Sequence, residues 1–478
     1  MSIVKEYKHI FIAVILAVAV KLCVPAANGL TTVGVSVLAV LLPVLYLWLT
    51  VGTDWVSLFA LAAIIISGVL TASATYAGSI GNSTVVIVIT CMALNKVLSD
   101  TGVIRKIAFW FLTREVVRNR PYIFMAMFFL AATLLGLILE CATLGIIFIT
   151  LATEICDEIG YKKGDDFYTA LIIGIFWISN FTNGATPICH AVPLIMIGTA
   201  GASGITISYT QWMILGIPFA ILMYLLLLLT ICVIWKPEAS KFKNYDLDAA
   251  QNKRVPLSKE GIITSIVFVI LVAVWIIPEV FPGLLPEEIR TALSSWGNTV
   301  PAILAVCFLC IIKVNGKTIG NFSELAKAAP MTLLIFIGAV VVFGSAVSSE
   351  STGISVALGN ILAPLTQSFP LTVIVATGIL LCLVMTNFVS NVVSMLLFFS
   401  VLIPVVTEST ASAIGISIII CLVANFASLV PSAAVTAPLF FGPGHITVKN
   451  VLKWNIIMII FAFLVCAFVL YPMGNMFL

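Results

Sequence analysis

Apolar runs of about twenty residues recur along the whole chain, among them Val33–Gly52, Trp55–Tyr76, Gln211–Trp235, Gly261–Ile277, Met331–Val347 and Val451–Leu470. Runs of this length cross the ~30 Å of hydrocarbon in a bilayer as helices. The pattern predicts an all-α polytopic membrane protein of about eleven transmembrane helices, with shorter apolar pieces that turn back before crossing. No cleavage signature precedes the first run, His9–Val24, which reads as a retained anchor.

Some runs are broken by hydrogen-bonding side chains. Val384–Ser394, "VMTNFVSNVVS", places Thr386, Asn387, Ser390, Asn391 and Ser394 inside an apolar stretch. "SNFTNGATP" and "NFASLVPSAA" do the same around Pro187 and Pro431. Proline removes an N–H donor and disfavours helix in the residue before it. Non-helical backbone survives at membrane depth only where it is buried in protein or lines a wet cavity. The two proline segments therefore predict broken helices. The run from Leu371, interrupted by TNFVSN and resumed as "VVSMLLFFSVLIPVV", predicts a re-entrant hairpin with Ser390 and Asn391 at its tip.

The interruptions occur twice. Asn180-Phe181 and Pro193-Leu194 recur as Asn425-Phe426 and Pro438-Leu439 at one constant offset. Ile205-Thr206 and Trp212 answer Ile446-Thr447 and Trp454, Thr101-Gly102 answers Thr352-Gly353, and Pro121 answers Pro370. An ordered series of this kind points to a duplication. It divides the chain into a first repeat, 1–235, with N-terminal scaffold helices, a cytoplasmic linker, 236–260, and a second repeat, 261–478. With an odd number of crossings in each, the repeats are inverted, an arrangement common in secondary transporters with midplane binding sites.

Composition agrees with the membrane reading: 62% of residues are hydrophobic and 9% charged, with a mean hydropathy of +1.21. Lys and Arg concentrate in Lys236–Lys259 and at Arg114, Arg118 and Arg120, whereas Pro278–Arg290 carries three Glu and one Arg. The bias puts the first two regions on the cytoplasmic side and the last outside. The eleven cysteines are scattered through apolar runs and read as small core residues. With three His in the whole chain, at 9, 190 and 445, and few acids in the apolar runs, no hydrolytic or metalloenzyme constellation emerges, and an enzyme is not expected.

A hairpin tip or helix break presents helix-terminal N–H groups, a positive dipole end, to its cavity. Neutral Ser, Thr and Asn add donors for carboxylate oxygens, and their own oxygens suit Na⁺. The segments therefore predict paired anion and cation sites.

Here the sequence resembles the divalent anion/sodium symporter family of the ion transporter superfamily. Thr386-Asn387-Phe388-Val389-Ser390-Asn391-Val392-Val393-Ser394 is similar to that family's hairpin motif T-E-F-T-S-N-T-A-T. Val430-Pro431-Ser432-Ala433-Ala434 and Thr182-Asn183-Gly184-Ala185-Thr186-Pro187-Ile188-Cys189-His190 echo its two broken helices. The resemblance implies a homodimer of protomers with scaffold and transport domains. It also implies an elevator motion, and Na⁺-coupled or exchange transport of small divalent anions such as succinate, malate and fumarate, with citrate and sulfate as alternatives, across a bacterial cytoplasmic membrane. The partners implied are that anion and membrane lipid, with no nucleic acid. It assigns Thr386, Val389, Asn391 and Ala433 to a second Na⁺ site, and Ser390, Asn391, Val392 and Ala434 to substrate.

In the first half the sequence departs from the family. Its hairpin tip reads Glu140-Cys141-Ala142-Thr143 where Ser-Asn-Thr stands in the family, and His190 replaces a threonine. An ionisable group inside an apolar run marks function by default. Glu140, Cys141, Ala142, Thr186, Pro187 and His190 are the substrate-side candidates here, and Glu140, Asn183 and Gly184 an altered first cation site. Glu140 could hold Na⁺, carry a proton, or pair with His190 as a fixed charge. A Na⁺/H⁺ antiporter of the same superfamily is the competing expectation.

Overall fold

The computed structural model describes residues 7–248 and 256–478 apart from 355, 358–359, 362–367, 408, 410, 431–433, 435 and 442–443. The described residues are mainly helical, with one short β-hairpin among them pairing Lys313–Val314 with Lys317–Thr318. The chain opens with two antiparallel helices, Lys8–Cys23 and Thr32–Thr50. His9 Nδ1 meets Tyr46 Oη at 2.8 Å at one end, and Lys21 Nζ donates to Ser36 Oγ at 2.6 Å at the other.

The run Trp55–Tyr76 is two helices rather than one, Asp54–Ile66 and Ala72–Gly78. Gly68 takes a left-handed φ of +74°, which ends the first, and the Thr71 hydroxyl accepts from Ala74 N at 3.2 Å, which starts the second. Among the described residues, four helical stretches are long and apolar enough to cross a bilayer: Ala72–Asp100, Tyr209–Trp235, Lys259–Pro278 and Val448–Phe477. A fifth is the pair Phe322–Ala328 and Met331–Val347, bent by 61°. Other apolar helices are shorter, so the expected crossings are not each a single straight span.

From Pro121 onward one series of elements occurs twice. First comes a helical hairpin, Pro121–Gly136 and Cys141–Ile159, answered by Leu371–Met385 and Asn391–Thr407. An arm of 16 residues is about 24 Å long, short of a full crossing. Next comes a broken helix, Asp166–Ala185 with Ala191–Ala202, answered by Ala413–Ala424 with Ala437–Phe441. A long helix follows each, and both run into a π-helical turn, at Leu229–Trp235 and at Cys466–Leu470. The sequence motifs gave no hint of these π turns.

The molecule is apolar outside as well as within. Leu22 and Ile66 stand largely exposed at 79% and 82%, as lipid-facing side chains do. The interior is organised on the broken helices: every residue from Phe167 to Ala185 is buried, as is every residue from Gly415 to Ala424. Gly216 permits the closest approach to this centre. A Cβ there would lie 1.9 Å from the Ala185 carbonyl oxygen, so only glycine lets Tyr209–Leu228 touch the first break.

The described part of the linker is docked rather than free. Phe242 is buried against the Phe124 and Phe167 rings, at 5.1 and 5.8 Å. Lys241 Nζ donates to Asp165 Oδ2 at 2.9 Å, Arg118 pairs with Asp248 at 2.8 Å, and Tyr122 Oη donates to Pro237 O at 3.1 Å. These contacts tie the linker to the base of the first hairpin. The cysteine expectation needs correcting: Cys91, Cys141, Cys156, Cys189, Cys382, Cys421 and Cys466 are buried, but Cys23 and Cys307 are exposed. Cys307 and Cys310 lie three apart on Thr299–Ile311, a C-x-x-C spacing.

Candidate functional site

In the first half the hairpin turns at Leu137–Glu140, and Glu140 is the cap of the second arm. Its Oε2 accepts from Ala142 N at 2.9 Å and from Thr143 N at 3.2 Å, so the carboxylate sits on the positive end of Cys141–Ile159. The Cys141 thiol donates to the other oxygen, Oε1, at 3.1 Å.

The first broken helix stops at Ala185 and resumes at Ala191, with Pro187 buried in the gap. His190 caps the resumed segment: Val192 N–H donates to its Nδ1 at 3.2 Å. A backbone amide can only donate, so Nδ1 carries the lone pair and the neutral ring bears its hydrogen on Nε2. That nitrogen faces Glu140 Oε1 at 4.0 Å. Two helix N-termini, each capped by an ionisable side chain, thus converge on one point.

The carbonyls released by the break are taken up by side chains, as the membrane interior demands. Cys189 Sγ donates to the carbonyls of Thr182 and Thr186 at 3.2 and 3.1 Å, Trp212 Nε1 to Gly184 O at 2.8 Å, and Asn95 Nδ2 to Ile188 O at 3.4 Å. Thr186 Oγ1 donates to Leu137 O at 2.5 Å, which fastens the break to the hairpin turn. Gly184 therefore already has a partner for its carbonyl, whereas the buried Asn183 Oδ1 has none among the described residues.

In the second half the turn spans Thr386–Ser390, and Asn391 opens the returning arm. Thr386 is fully buried; its hydroxyl lies 3.0 Å from Asn391 Oδ1 and also reaches the Ala424 carbonyl. Asn387 Oδ1 accepts from Ser428 N and Leu429 N, both at 2.8 Å, so the hairpin turn satisfies amides freed in the second break. Val389, Asn391, Val392 and Ala434 are half-buried and Ser390 is exposed. Pro431, Ser432 and Ala433 lie outside the described residues.

The two halves are bonded to each other. Asn183 Nδ2 donates to Asn425 Oδ1 at 3.1 Å, and Asn180 Nδ2 to Ala427 O at 3.1 Å. Trp177 Nε1 donates to Asn455 Oδ1 at 2.8 Å, and Asn455 Nδ2 donates to Ser428 O at 2.5 Å. Cys189 Sγ reaches the carbonyls of both Asn183 and Thr186, so the Leu137–Thr186, Asn183–Asn425 and Ala424–Thr386 bonds follow one another along the breaks. Asn183 and Thr186 thus lie on the side of the first break that is bonded to the second half, while Glu140 and His190, partly exposed, gather with Cys141 at the first hairpin turn. Sequence reasoning gave no role to Asn387, Asn455, Trp177 or Trp212. Asn387 stood within the quoted polar run, and Trp212 and Asn455 lie at or beside the repeated tryptophans.

Paired hairpins and broken helices bonded to each other, in an apolar shell, are the features of a multi-pass membrane protein. The citrate transporter family (CitMHS) matches residues 43–414, most of the chain, and the protein belongs to that family. Its activity is accordingly secondary transport of citrate-like anions. An uncharacterized transporter of Haemophilus influenzae is 22% identical over 364 residues, 76% of this chain and 74% of that protein. An uncharacterized transporter of Methanocaldococcus jannaschii is 25% identical over 232 residues, 48% of each chain. The family lies in the broad superfamily that the sequence resemblance named, but the match does not carry the narrower symporter assignment.

Proposed function

We propose that the protein carries small di- and tricarboxylate anions by alternating access, with substrate held between the Glu140–His190 cluster and the Thr386–Asn391 hairpin tip. The observation that supports this reading is the convergence of two helix N-termini at Glu140 and His190, 4.0 Å apart, beside a break bonded to its counterpart in the second half. Helix N-termini favour carboxylate, and the family's citrate-like cargo has that chemistry. The C4 dicarboxylates expected from sequence remain within the class.

Na⁺ fits the second half best. Thr386 and Asn391 offer oxygen donors close together, with Val389 and Ala433 as the further members the resemblance assigns. When bound there, the ion would supply positive charge to an anion at the tip. In the first half the Glu140–His190 pair takes the place of a second ion. A polycarboxylate beside Glu140 needs that charge neutralised, and protonating His190 on substrate binding would do so without a metal, at the expense of its Val192 contact.

The two element series are read as inverted repeats, 1–235 and 261–478. The hairpins and broken helices form a transport domain that moves by an elevator motion against the remaining helices, in a homodimer, in a bacterial cytoplasmic membrane. Counterflow in proteoliposomes tests the function. Labelled citrate, succinate and malate should exchange against internal anion, with Na⁺ raising the rate. Absence of counterflow with every carboxylate, together with ΔpH-driven Na⁺ movement, would replace this reading with an antiporter.

A further inference from the structure

We infer that Glu140, Cys141 and His190 form a binding site for a thiophilic divalent cation such as Zn²⁺, and that the bound ion locks the first hairpin to the first broken helix. The metal-binding part stands on the three side chains alone; the locking part rests on the transport reading above.

One carboxylate oxygen, one thiol sulfur and one imidazole nitrogen lie within 4.8 Å of one another. Ligand atoms around a tetrahedral zinc are separated by roughly 3.3–3.8 Å, so the set must close by about an ångström. A mixed O, S, N set suits zinc or cobalt and is a poor one for Na⁺, Mg²⁺ or Ca²⁺, which take oxygen.

The carboxylate is already oriented. Glu140 Oε2 is held by the N–H groups of Ala142 and Thr143, leaving Oε1 turned toward both Cys141 Sγ and His190 Nε2. The thiol hydrogen now bonded to Oε1 stands where a cation would go. On loading, the thiol releases that proton to solvent. The imidazole hydrogen moves from Nε2 to Nδ1, at the expense of the 3.2 Å Val192 contact. The side chains of Glu140 and His190 are 25% and 23% exposed, which leaves a way in and an open fourth position for water.

The ligands come from two elements: Glu140 and Cys141 from the hairpin, His190 from the resumed broken helix. An ion bound to all three joins those elements and covers the helix ends offered to the anion. Zn²⁺ would therefore act as an inhibitor.

The test is Co²⁺ titration of the purified full-length chain in a Cys307→Ser/Cys310→Ser background, which removes the competing C-x-x-C pair. A thiolate-to-cobalt charge-transfer band should saturate at one ion per chain and be abolished by excess Zn²⁺. Cys141→Ser should lose the band with its thermal unfolding unchanged, and His190→Gln should keep the band at an affinity about tenfold or more weaker. A band that survives in Cys141→Ser, or no band in the parent, overturns the site. Should Cys141→Ser fail to fold, His190→Gln decides alone: unchanged affinity overturns the site. In proteoliposomes of the Cys307→Ser/Cys310→Ser parent, Zn²⁺ should block succinate counterflow and a chelator should restore it. Counterflow indifferent to Zn²⁺ sinks the lock while leaving transport intact. A cobalt band without any counterflow sinks the transport reading while leaving the metal site.

Discussion

Asn183 and Asn425, from the two broken helices, are joined side chain to side chain: Asn183 Nδ2 donates to Asn425 Oδ1 at 3.1 Å, with both residues buried. Asn425 Nδ2 turns back to its own helix, donating to Cys421 O at 2.9 Å. The bond is a direct side-chain link between the centres of the two halves.

Breaking it leaves a buried amide donor without a partner, which costs about 1–3 kcal/mol. Asn425→Ala is expected to lower the thermal stability of the detergent-solubilised protein by that order. Asn183→Ala should do the same, and the double variant should lose less than the sum because the shared bond is counted once. Additive losses measured in thermal unfolding would show that the pair is not coupled.

Gly216→Ala tests the close approach at the first break. The added methyl would meet the Ala185 carbonyl oxygen, a backbone atom, at 1.9 Å. A rotamer change elsewhere cannot relieve that contact. The helix must move away, which also withdraws Trp212 Nε1 from Gly184 O. We expect loss of carboxylate transport and destabilisation beyond the usual 1–3 kcal/mol of overpacking. Gly201→Ala, where a Cβ meets nothing within 4 Å, serves as the control and should be near neutral.

The breaks and hairpins were legible because proline and clustered Ser, Thr and Asn have few other uses in a chain this apolar. Pro187, Thr386 and Asn391 fall where the pattern put them. The first hairpin was legible only through the family resemblance, since "LILECATLG" carries little punctuation and its turn is fixed by Glu140 capping the next helix. What sequence could not supply was who satisfies the broken backbone. Trp212, Asn455 and Asn387 do so from residues distant in sequence or assigned no role, and single-residue patterns do not encode such pairings. Helix boundaries were missed for a related reason: hydropathy reads Trp55–Tyr76 as continuous, whereas Gly68 and Thr71 divide it.

Asp165 offers a pH-dependent test of the docked linker. The Lys241 ammonium, donating at 2.9 Å, holds the Asp165 carboxyl below its ordinary range, with the Lys162 backbone N–H adding to the effect. The charged form is favoured in the folded state, so the contribution is fully present above the unfolded value of about 3.9 and lost as pH falls through the lowered folded value. The pair is partly solvated, so it contributes less than about 1 kcal/mol. Lys241→Met should therefore be slightly less stable than the parent at neutral pH, the gap closing only in strongly acidic solution. A gap that instead widened with acid would contradict the assignment.

Glu140 carries two separable duties, capping and charge, and two substitutions divide them. Glu140→Gln keeps an oxygen to accept from Ala142 and Thr143 but removes the negative charge facing His190. Glu140→Ala removes both and should cost about 1 kcal/mol more through the lost cap. Thermal unfolding should therefore rank parent, Gln, Ala. Transport should divide them differently. If Glu140 and His190 stand in for a cation, either variant unbalances His190, and the dependence of uptake on Na⁺ or pH must shift in both. Glu140→Gln with parental Na⁺ and pH profiles would reduce Glu140 to a cap, and charge balance in the first half would then have to come from elsewhere in the site.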